Sequence, residues 1–304
     1  MEYHRPVLLE ESIDALAIKP DGIYVDVTFG GGGHSSLIVS KLTNGKLYSF
    51  DQDRDAEEQA KKITSPAFNF VKANFRDLKK YLRLHKVSAI DGLLADLGVS
   101  SHQFNVAERG FSTRFDGPLD MRMDPQSDLS ASDVVNTYSE EQLHRIFGMY
   151  GEVKNAKTLA KLIVGQRARK PIETIADFKQ AISSCTPKGK ENKYLAQVFQ
   201  ALRIEVNDEL KALEEMLEQA TALLKPGGRL VVISYHSLED RLVKNFIAKG
   251  KFFGEVEKDL FGNEIRPLDA VNRKPITPSD QELLENSRSR SAKLRIAEKR
   301  ELND

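Results

Sequence analysis

Four consecutive glycines, Gly30 to Gly33, separate a strand-like segment from a helix-like one, and they constrain the fold more than any other stretch. Residues 22–27 read as a buried strand and residues 35–42 as the helix that follows. Glycine reaches backbone conformations closed to other residues, and ordering it is costly. A run of four therefore predicts a sharp turn fitted to a ligand, with the free N–H groups of a helix start behind it. The same rhythm continues. Residues 46–50 form a second strand closed by Asp51, and a polar helix covers residues 54–63. Residues 68–71 form a third strand, residues 77–84 a helix, and residues 90–95 a fourth strand ending at Asp96. Strands that alternate with helices argue for a parallel sheet with crossover helices.

The rhythm then breaks. Residues 105–136 read as loop, with Gly110, Gly117, Pro118 and Pro125, and only helices follow. Ser139 with Gln142 has capping-box spacing, and Thr174 with Asp177 starts another helix. Residues 154–169 and 192–204 are amphipathic, and Leu210, Leu213, Leu217, Ala220 and Leu224 mark one further helical face. Lys225-Pro226-Gly227-Gly228 stops that helix, and a strand returns at residues 229–234. The economical reading is a discontinuous α/β domain, residues 1–106 with 207–304, interrupted by a helical insertion at 107–206. Ala292, Leu294 and Ile296 alternate and predict a last strand with its basic residues facing outward.

Composition narrows the function. The chain has 304 residues, and its 45 basic side chains equal its 45 acidic ones, so a general coat for a polyanion is excluded, although a local basic patch is not. No apolar run nears the ~18 residues of a membrane helix, and the N-terminus lacks a leader pattern. The single cysteine, Cys185, has no pairing partner and no metal-ligand spacing around it, which fits a half-buried apolar role in a reducing cytoplasm.

The glycine turn and Asp51, about twenty residues on, match the geometry of a nucleotide-type cofactor, with the acid on two ribose hydroxyls. The dinucleotide fingerprint requires a third glycine where this chain has Ser35 or Ser36, so a nicotinamide enzyme is the weaker reading. Asp96, beyond the carboxyl end of its strand, meets the same ligand or caps the turn at Gly98. Phe75 stacks on an aromatic ring or belongs to the core. Ser234, His236 and Asp240 imitate a hydrolase set but lack the Gly-x-Ser-x-Gly elbow.

Several long motifs carry a resemblance. They are Thr28-Phe29-Gly30-Gly31-Gly32-Gly33-His34-Ser35, Asp96-Leu97-Gly98-Val99-Ser100-Ser101, Glu108-Arg109-Gly110-Phe111-Ser112, Gly117-Pro118-Leu119-Asp120-Met121-Arg122-Met123-Asp124 and His236-Ser237-Leu238-Glu239-Asp240-Arg241. Together they resemble the bacterial 16S ribosomal RNA cytosine-N4 methyltransferases, the small subunit methyltransferase H family, from His4-Arg5-Pro6-Val7 to Ser287-Arg288-Ser289-Arg290-Ser291. Leu224 to Gly228 is also typical of S-adenosylmethionine methyltransferases at large. Departures occur at Gly31 and at Ser287, where relatives often carry proline.

The resemblance implies a Rossmann-like methyltransferase sheet with an inserted all-helical domain for substrate recognition. It implies S-adenosylmethionine as donor and methylation of the exocyclic N4 of one cytosine in the decoding region, with 16S rRNA in the small ribosomal subunit as partner. No membrane or metal enters. The cofactor contacts it implies are Gly32, Gly33, His34, Asp51, Phe75, Asp96 and Gln103. The amine calls for an acceptor near the transferred methyl, and Asp96, with Ser100 and Ser101 nearby, is the candidate. Phe111 or Phe115 would stack on the base, beside Arg114. Arg167, Arg169 and Lys170, then His236, Arg288 and Arg290, are candidates for contact with the RNA.

Overall fold

The computed structural model describes residues 6–301, so His4 and Arg5 of the first motif lie outside the described residues. The chain divides into two compact units. One holds the residues up to Gly98 and those from Leu210 onward, and the other spans Val99–Glu209.

The first unit is built on a seven-stranded sheet. Its strands are β1 (Ile23–Asp26), β2 (Lys46–Asp51), β3 (Phe68–Lys72), β4 (Ile90–Asp96), β5 (Leu224–Ser234), β8 (Leu268–Ala270) and β9 (Lys293–Lys299), in the order β3-β2-β1-β4-β5-β9-β8. The first five pair in parallel, and β9 runs antiparallel to β5 and to β8. A separate hairpin pairs β6 (Glu257–Lys258) with β7 (Glu264–Ile265). Helices α1 (Leu9–Ala15), α2 (Gly33–Ser40), α3 (Arg54–Ala60), α4 (Leu78–Leu84), α11 (Glu209–Leu223), α12 (Ser237–Lys249) and α13 (Asp280–Glu285) complete the unit. Two apolar clusters sandwich the sheet: Val25, Leu93, Leu230 and Val232 face α11 and α12, while Tyr24, Leu94, Val231 and Ile233 face α1 and α2. Strands buried on both faces explain why their sequences read as continuous apolar runs.

Strand order reverses between β1 and β4, since the chain proceeds outward through β2 and β3 before returning beside β1. At such a reversal the crevice beyond the carboxyl ends of the strands is open to a ligand. Asp26, Asp51 and Asp96 are the last residues of β1, β2 and β4.

The second unit contains α5 (Ser101–Asn105), α6 (Ala131–Thr137), α7 (Glu140–Met149), α8 (Ala156–Arg167), α9 (Ile175–Ile182) and α10 (Glu191–Asn207) around one apolar cluster that includes Phe147, Ile163, Phe178 and Val198. The capping boxes expected at Ser139 and Thr174 are formed. The boundaries fall at Gly98 and Leu210 rather than at 107 and 207, because Val99 and Phe104 pack on the helical cluster. Helix α6 lies in the stretch expected to be loop. A Ser130–Asp133 capping box starts it, a variant with Asp in place of the Glu or Gln of the usual pattern. Strand β5 starts at Leu224, not 229, and its pairing with β4 shifts register where Gly227 takes a φ of 75°.

Ser35 occupies the place where the dinucleotide pattern needs glycine. It is fully buried, donates from Oγ to Asp26 Oδ2 at 2.6 Å and lies 2.8 Å from Ser49 Oγ. A serine there ties α2 to β1 and β2. Ser35→Ala is expected to lower unfolding stability by about 1–3 kcal/mol, the cost of leaving a buried acid short of a donor. Ser36→Ala, on the exposed side of the same turn, should change it by under about 0.5 kcal/mol. Equal effects in denaturant titrations would contradict the role given to Ser35.

Candidate cofactor site

The site begins at the end of β1. Asp26 Oδ1 accepts from the Thr28 backbone N–H at 3.0 Å, and the Thr28 hydroxyl oxygen accepts from the Asp96 N–H at 2.7 Å. The turn between strand and helix is thereby tied to β4. Gly30 and Gly32 have φ of 53° and 80°, the left-handed region that favours glycine. A Cβ on Gly32 would lie 2.7 Å from the Phe29 ring, and one on Gly33 would lie 2.2 Å from Pro6 Cγ. The glycines at these two positions are therefore required by packing.

Asp51 faces this turn. Its Oδ2 accepts from the Gly30 N–H at 2.8 Å and its Oδ1 from the Asp53 N–H at 2.9 Å. Each oxygen keeps a second lone pair, so the carboxylate can accept from two adjacent hydroxyls. Burial pushes Asp51 up from 3.8 to about 6, against the two N–H donors that favour its charge.

Asp96 is held from two sides. The Tyr235 hydroxyl donates to Oδ1 at 2.6 Å, and Tyr235 is fixed in turn by its N–H, which donates to Glu239 Oε2 at 2.9 Å. His34 Nε2 faces the Val7 carbonyl at 3.2 Å and must donate to it, since a carbonyl only accepts. In neutral His34 the bare Nδ1 then faces Asp96 Oδ2, 3.8 Å away. Burial raises Asp96 to about 6, with His34 and Tyr235 opposing, and burial lowers His34. Tyr235 and Asp26 were not singled out from the sequence; a tyrosine one residue past a strand end carries no signal of its own.

Phe75 opens a short turn after β3 and is half-buried against the core. Beside it, Asn74 Nδ2 donates to Gln52 Oε1 at 2.9 Å, linking the ends of β3 and β2.

Other expected site residues are employed elsewhere. Within the second unit, Ser100 Oγ accepts from the Gln103 N–H and Gln103 Oε1 accepts from the Ser100 N–H, both at 3.1 Å, so these two side chains form the capping box of α5. Ser101 is the first residue of that helix. Phe111, only 7% exposed, belongs to the helical core under the Arg109 guanidinium. Phe115 is exposed, as is Arg114, whose guanidinium lies over the Phe104 ring. Arg167 Nη1 donates to the Val135 and Tyr138 carbonyls. Lys170 pairs with Asp177 at 2.7 Å, which leaves Arg169 as the unpaired cation of that trio. His236 accepts from the Glu239 N–H and caps α12. Arg288 is half-buried and Arg290 exposed in the turn before β9. Arg295 faces Asp240 at 2.7 Å rather than solvent.

Among the described residues, no Lys or Arg pairs with Asp26, Asp51 or Asp96. Three acids converge without a counter-cation, which suits a cationic ligand and opposes a pyrophosphate. The model of the MraW methylase family matches residues 1–300.

The chain belongs to the MraW methylase family.

A protein of Cytophaga hutchinsonii called ribosomal RNA small subunit methyltransferase H is 60% identical over 297 residues, covering 98% of this chain and 99% of its own. Proteins with the same name from Flavobacterium johnsoniae and Parabacteroides distasonis are 56% and 58% identical over 300 and 299 residues; this chain is covered to 98% by both, and they are covered to 98% and 97%. This MraW methylase is a methyltransferase whose donor is S-adenosylmethionine. The residues fit that donor: Asp51 has the acceptors for a ribose diol, and the left-handed glycines keep side chains out of the turn. No helix among the described residues is long and apolar enough to cross a membrane.

Because Asp51 and Asp96 are raised from 3.8 to about 6, the fold retains protons that the unfolded chain has released. Stability without donor should therefore fall as pH climbs through that window and level off above it. Donor affinity should rise across it, by about tenfold between pH 5 and pH 7, as Asp51 ionises. Calorimetric titration checks this; a flat affinity, or Asp51→Ala binding like the parent, would contradict the assignment.

Proposed function

We propose that this MraW methylase transfers the methyl group of S-adenosylmethionine to the exocyclic N4 of one cytosine in the decoding region of 16S rRNA, within the small ribosomal subunit and in the cytoplasm. The relatives' shared name supports the RNA class. The observation that carries the chemistry is Asp96 at the end of β4, uncompensated by any cation, with one oxygen fixed by Tyr235.

Cytosine N4 is a weak nucleophile because its lone pair is delocalised into the ring. S-adenosylmethionine supplies a methyl group on a positively charged sulfur. The protein's part is to hold the amine in line at about 3–3.5 Å and to accept a proton from it. Asp96 accepts that proton, so nitrogen can present its lone pair to the methyl and end neutral. Tyr235 orients the carboxylate by donating its hydroxyl to Oδ1. N4 of a paired base has a proton engaged, so the cytosine is unpaired or extruded. The second unit is the RNA-binding part in this reading, with exposed Phe115 and Arg114 as its aromatic and cationic contact for an unpaired base.

The family match replaces the nicotinamide reading, whose third glycine position is Ser35 in this chain.

Incubation of labelled donor with small-subunit particles from cells lacking the enzyme, then mass mapping of the RNA, should place one methyl on N4 of a single cytosine. Label on a ring carbon, on uridine or on protein would overturn the proposal. Asp96→Asn should cut the transfer rate by about 10²–10⁴-fold while donor affinity stays within a few-fold. Equal losses in both would make Asp96 a donor ligand only. Tyr235→Phe removes a bond to the ionised form of Asp96, so the acid limb of the rate profile should move above its parent position near pH 6. An unmoved limb would leave Tyr235 a structural residue.

A further inference from the structure

The basic residues expected to meet RNA from the sequence, at the C-terminal end of α8, are largely engaged: Arg167 on carbonyls and Lys170 on Asp177. The opposite end of α8 differs. There a small polar knot fastens three segments of the second unit. Asn155 Nδ2 donates to the Cys185 carbonyl at 2.9 Å, and the Tyr194 hydroxyl donates to Asn155 Oδ1 at 2.9 Å. The Cys185 sulfur lies 3.5 Å from the same hydroxyl. Tyr194 is buried, and its bonds fix the start of α8, the turn after α9 and the start of α10 against one another.

Five lysines surround this knot in sequence. Lys154 and Lys157 flank Asn155, Lys188 and Lys190 follow Cys185, and Lys193 precedes Tyr194. All five are exposed, and none pairs with a carboxylate among the described residues. The acids in these segments are Glu152 and Glu191, and Glu191 already accepts from the Gly189 N–H at 2.8 Å. The chain as a whole is neutral, so five cations with no ion partner on one anchored corner are a local exception. Flexible lysines around a rigid anchor match an irregular polyanion rather than one small anion: each ammonium is a point charge that finds a phosphate without fixed geometry.

We infer that Lys154, Lys157, Lys188, Lys190 and Lys193 form a phosphate-backbone docking surface for the RNA substrate. The inference rests on the RNA reading above and adds the face of the second unit that grips the strand away from the reacting base. Such contacts position the RNA and read no sequence. They release counterions, so log affinity falls with log salt by about 0.7–0.9 per phosphate neutralised.

The test replaces all five lysines by glutamine in the full chain and measures binding to small-subunit particles, and to protein-free 16S rRNA, from 50 to 300 mM salt (about the range in which the slope is steep). Thermal unfolding and titration with S-adenosylmethionine should match the parent. Particle and RNA affinity at low salt should fall at least about tenfold, with a salt slope shallower by about two or more. The rate at saturating particles should change much less than KM. A Lys170→Gln variant, whose cation is engaged by Asp177, serves as the comparison and should lose little. Parental affinity and slope in the quintuple variant would overturn the surface while leaving the RNA reading intact. A loss seen with particles but not with free RNA would overturn it too, by assigning the lysines to an acidic ribosomal protein. Parent protein with no salt-dependent affinity for either RNA would instead remove the RNA reading itself.

Discussion

The buried carboxylate of Asp26 is the interaction on which the site depends. Fully enclosed, it takes the Ser35 hydroxyl from α2 and the Thr28 N–H from the turn, and Thr28 then receives the Asp96 N–H. Two strand ends and one helix start are joined through a single acid. Burial raises its proton affinity, opposed by those donors, so the group sits in its place only because each donor is present. The left-handed glycines, the position of Asp51 and the alignment of Asp96 all follow from a turn held at that point.

Electrostatics then selects the ligand. Asp26, Asp51 and Asp96 lie at neighbouring strand ends with no arginine or lysine among them, and two of them are raised to about 6. Acids at neighbouring strand ends repel one another once ionised, and a cationic ligand offsets that repulsion. A donor whose sulfur and amine are both positive would gain from the arrangement.

Much of the sheet was legible because strands buried on both faces write themselves as short apolar runs between helices, and Asp51 and Asp96 were visible as acids closing such runs. Helix α6 was hidden by its length, seven residues at the end of a stretch broken by glycine and proline. The boundary at Val99 was missed because α5 looks like a continuation of the loop, while its Phe104 packs on the helical cluster. Site residues were harder to read where a side chain had two plausible uses. His236 and Ser100 have the chemistry of catalysis, yet both spend it on helix starts. Phe111 and Phe115 are alike in sequence and part only in burial, which depends on how the second unit folds. Tyr235 left no trace, because its function arises from the register that places Ile233 opposite Asp96.

The account's central claim is that the carboxyl edge of β1, β2 and β4 binds the methyl donor by its acids. The most direct measurement is a crystal structure with S-adenosylhomocysteine bound. The account predicts both ribose hydroxyls on Asp51, the sulfur on the side of Asp96, and the adenine beyond β3 near Phe75. Ribose density away from Asp51, or a ligand seated off this edge of the sheet, would contradict it.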